Sequence, residues 1–235
     1  MTAPAPVAVA LDAPDLLTAS AWAREVGPHV STLKVGLELF TAIGISGVQQ
    51  IRRSAPHCEL FLDLKLHDIP NTVAGAARSV AELRPDLLTV HALGGPAMIE
   101  AAASALPDTQ ITAVTILTSM SETDLASVGL IGPARTAVLR LAAMAVEAGA
   151  RALVCSPQEV ADVRKLVPAD IRLVTPGVRP PGSPAADQVR VATPAQAIGN
   201  GADLLVIGRP ITAADDRAAA AAAIVSELGG VRRLH

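Results

Sequence analysis

The chain has 235 residues, of which 51% are apolar, 17% are charged and only 1% are aromatic. A chain this apolar can bury enough surface to offset its conformational entropy, which excludes intrinsic disorder. The net charge of −3 supplies no overall basic field for nucleic acid or an anionic membrane, and one Trp with two Phe is too few aromatics for a base-stacking surface. We therefore expect a folded protein that binds neither nucleic acid nor membrane.

The amino-terminal residues and the cysteines bear on the compartment. The chain reaches Asp12 without a positively charged segment, unlike a secretory signal, and no uninterrupted apolar run approaches the roughly 18 residues of a membrane span. The two cysteines, Cys58 and Cys155, have neither the spacing of a metal site nor that of a disulfide framework. These features together predict a cytoplasmic location.

Short β-branched runs alternate with longer segments rich in Ala and Leu along the whole chain. The predicted strands span residues 7–12, 32–36, 59–65, 87–91, 111–118, 152–155, 171–175 and 204–207. The predicted helices span residues 14–25, 72–82, 96–105, 135–147, 157–166, 193–199 and 213–228. Apolar strands alternating with helices favour a parallel sheet of the α/β class, and the number of units is that of a (β/α)8 TIM barrel.

The alternative architecture is an open doubly wound sheet. It is weakened because no glycine-rich dinucleotide motif follows the first strand. No linker, composition shift or internal repeat divides the chain, so we predict a single domain over residues 1–235. Local signals also predict helix ends: Asn71 and Ser156 as N-caps, the latter with Pro157 in the first turn, and Gly149 and Gly201 as C-terminal stops.

Polar and charged residues stand at the carboxyl ends of the predicted strands, where a TIM barrel carries its active site. In chain order they are Asp12, Lys34, Asp63, Lys65, His91, Thr118, Arg179 and Arg209. Side-chain alternation puts Asp63 and Lys65 on one face and turns Lys34 away from its apolar neighbours. With Asp12 they form a nearly neutral set that can be buried only as an alternating hydrogen-bonded network. Both a structural ion network and a catalytic site fit this pattern, whereas His91 is more typical of a structural histidine.

Two segments near the end of the chain are candidates for ligand contact. Residues 175–188, rich in Pro and Gly, follow the seventh strand and are either a plain surface loop or a lid over the site. Gly208 and Arg209 follow the eighth strand, where barrels of this kind commonly bind phosphate, although a solvated Arg in a simple turn has the same pattern.

The segment at 61–72, FLDLKLHDIPNT, closely resembles the signature of the orotidine 5′-monophosphate decarboxylase family. Other matching motifs occur in the family's order: LD at 11–12, KVG at 34–36, LTSM at 117–120, TPGVRP at 175–180, DQ at 187–188 and VIGRPIT at 206–212. The set is highly specific and runs the length of the chain. It implies a cofactor-free homodimeric barrel that converts orotidine 5′-monophosphate to UMP and CO2, the last step of de novo pyrimidine nucleotide biosynthesis.

The resemblance implies four catalytic residues. Lys65 would protonate C6 once CO2 has left, and Asp63 would lie beside the substrate carboxylate. Lys34 would belong to the same charged network, and Asp68 would join it from the neighbouring subunit. A fixed ammonium beside C6 suits this reaction, because the carbanion lies in the ring plane and the ring π-system cannot absorb it simply.

Further residues match the family's substrate contacts. Asp12 and Lys34 would hold the ribose hydroxyls, and Thr72 would reach the neighbouring subunit's site together with Asp68. The pyrimidine contacts implied by the resemblance are Thr118 and Ser121, and the phosphate contacts are Arg179, Gln188, Gly208 and Arg209. The remote phosphate would supply binding energy that can be used at the reacting carbon.

The nearest rival is a magnesium-dependent sugar-phosphate decarboxylase or aldolase of the same barrel type. Such enzymes resemble this chain on the third strand but bind the metal partly through a Glu at the end of the second strand. Here Lys34 stands at that place, and no full set of metal ligands is found, so we predict no metal and no cofactor. A non-catalytic phosphate-ligand sensor would be expected to lose Lys65 or an Asp of the network, and all are present.

Overall fold

Eight parallel strands close into a barrel in chain order in the computed structural model, which describes residues 5–180 and 192–229. The strands are β1 Ala5–Ala10, β2 Val30–Gly36, β3 Glu59–Leu66, β4 Leu87–His91, β5 Gln110–Val114, β6 Ala152–Val154, β7 Arg172–Thr175 and β8 Leu204–Ile207. Each strand pairs with the next in the chain, and β8 pairs with β1 to complete the ring. The predicted (β/α)8 barrel is confirmed, as one domain.

Helices cover the outside of this barrel. They are α1 Leu16–Val26, α2 Leu37–Ser54, α3 Pro70–Ser79, α4 Pro96–Ala105, α5 Glu122–Ser127, α6 Ala134–Glu147, α7 Val160–Leu166, α8 Pro194–Gly199, α9 Arg209–Thr212 and α10 Arg217–Gly229. Among the helices of the described residues, none combines the length and apolarity needed to cross a membrane.

The strands bury side chains on both faces. The inner face fills the barrel with one side chain from each of six strands: Ala8, Phe61, Leu87, Ala152, Val174 and Leu204. The outer face packs on the helices, and it includes Leu60, Leu62 and Leu64 of β3. Burial on both sides explains why the strands are apolar almost throughout. It also makes a charged side chain on the inner face conspicuous.

Some helix ends differ from the sequence predictions. The prediction of Asn71 as an N-cap is wrong, because α3 begins at Pro70, whose fixed φ suits the first helical position. Helix α7 begins only at Val160, and the Ser156 hydroxyl accepts a hydrogen bond from the Gln158 N–H instead of capping it. Gly149 and Gly201 follow α6 and α8 with φ of +92° and +100°, which confirms both predicted stops.

The amino-terminal ends of the strands carry an ion pair that crosses the barrel. The Arg172 guanidinium at the start of β7 donates to both carboxylate oxygens of Glu59 at the start of β3, at 3.0 and 2.7 Å. The Thr32 hydroxyl on β2 donates to the same carboxylate at 2.8 Å. We call Thr32, Glu59 and Arg172 the lower network. It ties β7 to strands on the opposite side of the ring.

Candidate active site

A cavity of about 540 Å³ opens at the carboxyl ends of the strands. Its floor is apolar and takes one side chain from each of five strands: Ala10, Val114, Val154, Val174 and Val206. Charged groups from β2 and β3 form one part of the wall, and two arginines that follow β7 and β8 form another. The volume lies within the roughly 300–1,000 Å³ typical of small-molecule sites.

Lys34 and Asp63 form the buried centre of the charged wall. Leu33 and Val35 pack on the helices, so the alternation of β2 turns Lys34 inward, as the sequence predicts. The Lys34 Nζ lies 3.2 Å from Asp63 Oδ2 and 3.5 Å from Asp12 Oδ1. We call Asp12, Lys34, Asp63 and Lys65 the upper network.

Opposite charges keep this centre ionised despite its burial. Burial alone would lower the pKa of Lys34, but the carboxylates of Asp63 and Asp12 hold that pKa above its ordinary value. Burial alone would raise the pKa of Asp63, but the ammonium groups of Lys34 and Lys65 hold it below its ordinary value. At neutral pH the site therefore presents a carboxylate between two ammonium groups.

Lys65 is the most accessible cation of the upper network. Its Nζ donates to Asp63 Oδ1 at 2.8 Å, and 37% of its side chain remains exposed. Its backbone has a φ of +49°, a left-handed conformation that is uncommon for a residue other than glycine. Such conformations persist where surrounding contacts enforce them, and they cluster at functional sites.

Thr89 on β4 is a site residue that the sequence analysis missed. Its hydroxyl accepts a hydrogen bond from the Lys65 backbone N–H at 2.8 Å and donates to Asp63 Oδ1 at 3.1 Å. The signal was a polar residue between Leu88 and Val90, on the inner face of an otherwise apolar strand.

Gly36 is a second residue whose role becomes clear only in three dimensions. It ends β2, and a Cβ at this position would lie 3.0 Å from both the Asp12 carboxylate and the Lys34 ammonium. Any larger side chain would crowd that ion pair. Asp12 itself lies just past the end of β1, with 54% of its side chain exposed.

Arg179 and Arg209 supply positive charge elsewhere in the cavity wall. Arg179 donates to the Val178 carbonyl at 3.1 Å, and burial together with the nearby Arg209 guanidinium lowers the pKa of Arg179. Two guanidinium groups near each other suit a doubly charged anion such as a phosphate ester. Gly208 and Thr118 also line the cavity, whereas Gln188 lies outside the described residues.

Four other residues named from the sequence do not line the cavity of this chain. Asp68 and Thr72 are exposed in the turn after β3 and the first turn of α3, and Asp68 Oδ1 accepts the Ile69 N–H at 2.6 Å. Ser121 caps α5 reciprocally with Asp124. His91 packs against His67 with ring centroids 5.3 Å apart and is likewise absent from the cavity lining.

The fold and the cavity together define a (β/α)8 barrel enzyme, with its charged site at the carboxyl ends of the strands. The profile of the orotidine 5′-phosphate decarboxylase / HUMPS family matches residues 5–224. The chain belongs to this family.

Individual relatives agree over nearly the full length. The orotidine 5′-phosphate decarboxylase of Thermobifida fusca is 65% identical over 224 residues, covering 95% of this chain and 96% of that protein. The protein of the same name from Frankia casuarinae is 52% identical over 247 residues, covering 97% and 89%. The crystal structure of orotidine 5′-phosphate decarboxylase from Lactobacillus acidophilus superimposes with a TM-score of 0.83 at 37% identity, covering 96% of this chain and 99% of that one.

Proposed function

We propose that this protein decarboxylates orotidine 5′-monophosphate to UMP and CO2 without a cofactor. The observation that carries the proposal is the Lys65 ammonium, 2.8 Å from Asp63 Oδ1 in a cavity whose wall also holds Arg179 and Arg209. That arrangement offers a proton donor and an anion site to one ligand. The relatives named orotidine 5′-phosphate decarboxylase support the same assignment.

Binding uses the whole length of the cavity. Arg179 and Arg209 hold the phosphate, with Gly208 beside them and Gln188 from the segment outside the described residues. Asp12 and Lys34 hold the ribose hydroxyls. The pyrimidine contacts fall to Thr118, which lines the cavity, and to Ser121. Binding energy from the phosphate end is available to hold the substrate carboxylate against Asp63.

The reaction breaks the bond between C6 and the carboxylate carbon. The electron pair stays on C6, CO2 leaves, and the Lys65 ammonium stabilises the developing negative charge electrostatically. Lys65 then donates its Nζ proton to C6, which yields UMP, and regains a proton from solvent. Asp63 and Lys34 keep the ammonium oriented, and the depressed pKa of Asp63 keeps its carboxylate charged throughout.

The functional unit of the proposal is a homodimer with shared sites. Asp68 and Thr72 are exposed next to the cavity strand, so they are available to a partner subunit. Leu37, Ile69 and Leu93, which follow the ends of β2, β3 and β4, are 58%, 66% and 41% exposed. Exposed apolar side chains after three neighbouring strands would suit a protein interface. The partner's Asp68 would complete the upper network.

The sugar-phosphate rival requires a divalent metal. Lys34 stands at the end of β2 where that rival needs a metal ligand, and its ammonium is already paired with Asp63 and Asp12. A second cation at this point would be repelled.

The proposed activity places the chain in the last step of de novo pyrimidine nucleotide biosynthesis. We propose that residues 1–235 form one decarboxylase domain. Cytoplasm is the proposed compartment, in keeping with two unpaired buried cysteines, and neither nucleic acid nor membrane is a proposed partner.

The experiment is a decarboxylation assay with purified protein dialysed against EDTA. We expect the absorbance of orotidine 5′-monophosphate to fall, with one CO2 released per UMP formed and with unchanged rate after EDTA treatment. Activity that is lost with EDTA and restored by magnesium would favour the sugar-phosphate rival. Absence of turnover in a folded, dimeric preparation would reject the proposed function.

A further inference from the structure

Thr89 makes two hydrogen bonds whose direction is unambiguous. The Lys65 backbone N–H can only donate, so the Thr89 hydroxyl oxygen accepts from it at 2.8 Å. The hydroxyl proton is then free to go to Asp63 Oδ1, 3.1 Å away. Thr89 is fully buried and does not line the cavity. It therefore joins the backbone of one network member to the carboxylate of another from behind the site.

The backbone of β3 explains why this bridge is needed. Leu62 pairs with Leu88 and Leu66 pairs with Val90, so three residues of β3 lie opposite Thr89 alone. The extra residues form a bulge, and a bulge leaves backbone groups without ladder partners. Lys65 lies in the bulge with a φ of +49°, and its N–H finds the Thr89 hydroxyl instead of a strand carbonyl.

We propose that Thr89 is a positioning residue for the decarboxylation, fixing the Lys65 ammonium and the Asp63 carboxylate relative to each other. This inference rests on the proposed function. Asp63 Oδ1 accepts from both the Thr89 hydroxyl and Lys65 Nζ, so the hydroxyl orients the carboxylate that in turn holds the ammonium. The same hydroxyl stabilises the left-handed backbone from which the Lys65 side chain extends.

The hydroxyl, and not the volume of the side chain, carries this role. Thr89→Val keeps the branched shape but leaves the Lys65 N–H without its partner and removes one donor from Asp63. The strained turn then loses the contact that favours it, and the ammonium shifts relative to C6. Arg179, Arg209 and Asp12, which bind the remote parts of the substrate, make no hydrogen bond to Thr89 among the described contacts. The effect should therefore fall on kcat more than on KM.

The test compares Thr89→Val, Thr89→Ser and a matched control. We expect kcat of Thr89→Val to fall about 10- to 100-fold, the size of loss expected when a reacting group is misplaced by about 1 Å. KM should stay within about twofold, because ground-state binding groups are untouched. Thr89→Ser retains the hydroxyl and should recover most of kcat.

The matched control is Thr112, which pairs with Thr89 across β4 and β5. It is also fully buried, and its hydroxyl donates to the Gln110 carbonyl. Thr112→Val should leave kcat unchanged.

Each contrary result has a defined meaning. Wild-type kcat in Thr89→Val, or equal losses in Thr89→Val and Thr112→Val, would overturn the positioning role while leaving the proposed function standing. If Thr89→Val does not fold, Thr89→Ala with Thr112→Ala as its control makes the same comparison. If the wild-type protein itself does not turn over orotidine 5′-monophosphate, the proposed function fails. In that case the Thr89 hydrogen bond to Lys65 is tested by hydrogen exchange of the Lys65 backbone amide. Equal exchange rates in wild type and Thr89→Val would show that this hydrogen bond does not hold the Lys65 backbone.

Discussion

The barrel holds two ion networks that share strands β2 and β3 but differ in what they can do. Thr32 and Glu59 of the lower network are register partners on β2 and β3, and Gly36 and Asp63 are partners four residues further on. The spacing corresponds to about 13 Å along the strands. In the lower network one guanidinium meets one carboxylate through two bonds, and Thr32 adds a third. In the upper network Lys65 keeps 37% of its side chain exposed beside the cavity.

The contrast shows that a charged cluster inside a barrel is not by itself a sign of catalysis. In the lower network the Glu59 carboxylate accepts from both Arg172 and Thr32, so the network links strands, and none of its three residues lines the cavity. The upper network holds two ammonium groups on one buried carboxylate, both line the cavity, and that of Lys65 is the more exposed. Position along the strand distinguishes the two, because active sites of this fold lie at the carboxyl ends.

The largest expected effect comes from removing the more exposed ammonium of the upper network, that of Lys65. Lys65→Ala deletes the proposed proton donor together with the charge it would place beside C6, and turnover should fall about 10⁴-fold or more. The fold should survive, since Asp63 keeps its contacts with Lys34 and Thr89. Initial rates with orotidine 5′-monophosphate and a thermal unfolding curve measure the two quantities. Near-normal turnover in a verified variant would contradict the assignment of Lys65.

The matching change in the lower network should have the opposite profile. Arg172→Met keeps much of the side-chain volume but removes the guanidinium from Glu59, which remains partly exposed. We expect a loss of about 1–2 kcal/mol in the free energy of unfolding, between the values for surface and buried pairs. The kcat should not change. A loss of turnover comparable with that of Lys65→Ala would break the distinction between the two networks.

A third change tests the anion site of the cavity. Arg209→Ala removes one charge-assisted contact and should weaken UMP binding by about 2–5 kcal/mol. Binding of uridine, which lacks the phosphate, should barely change. Calorimetric titration of both ligands makes the comparison, with Arg53→Ala on the exposed surface of α2 as the control. Equal losses for the two ligands would place the Arg209 contact away from the phosphate.

The barrel could be predicted from the sequence because burial on both faces makes each strand an apolar run that ends in turn residues. The limits of β4 and β8 agree with the prediction to the residue. Helices α2, α5 and α9 were not predicted. Gly44 interrupts α2 with a φ of +60°, which breaks the apolar periodicity, and α5 has only six residues. A kink or a short length weakens the pattern, although α8, also six residues long, was predicted.

The charged core of the site could also be predicted from the sequence, since Lys34, Asp63 and Lys65 are charged residues in otherwise apolar strands. The role of Thr89 could not be predicted, because it depends on a bulge in the neighbouring strand β3. The sequence of β4 contains no signal of that change of register. Gly36 matched a family motif, but its closeness to Asp12 and Lys34 follows only from the barrel geometry. The proposed role of Asp68 depends on a second chain.

The proposed need for a second chain is another difference between the upper and lower networks. The lower network is complete within one chain, whereas Asp68 lies exposed and outside the cavity of its own chain. In the proposed dimer each site takes Lys65 from one subunit and Asp68 from the other, and in an isologous dimer this exchange is reciprocal. Lys65→Ala and Asp68→Ala should each abolish turnover alone. Mixing them after subunit exchange tests whether the two residues serve different chains' sites.

In a mixed dimer one site receives both lesions and the other receives an intact Lys65 with an intact Asp68. Random exchange makes half of the dimers mixed, and each has one good site of two, so about a quarter of wild-type activity should return. If Lys65 and Asp68 served the site of the same chain, every site would keep one lesion, and mixing would restore nothing. Exchange is verified by mass spectrometry with one variant isotopically labelled. Verified exchange without recovery would show that the upper network, like the lower one, is complete without a partner's Asp68.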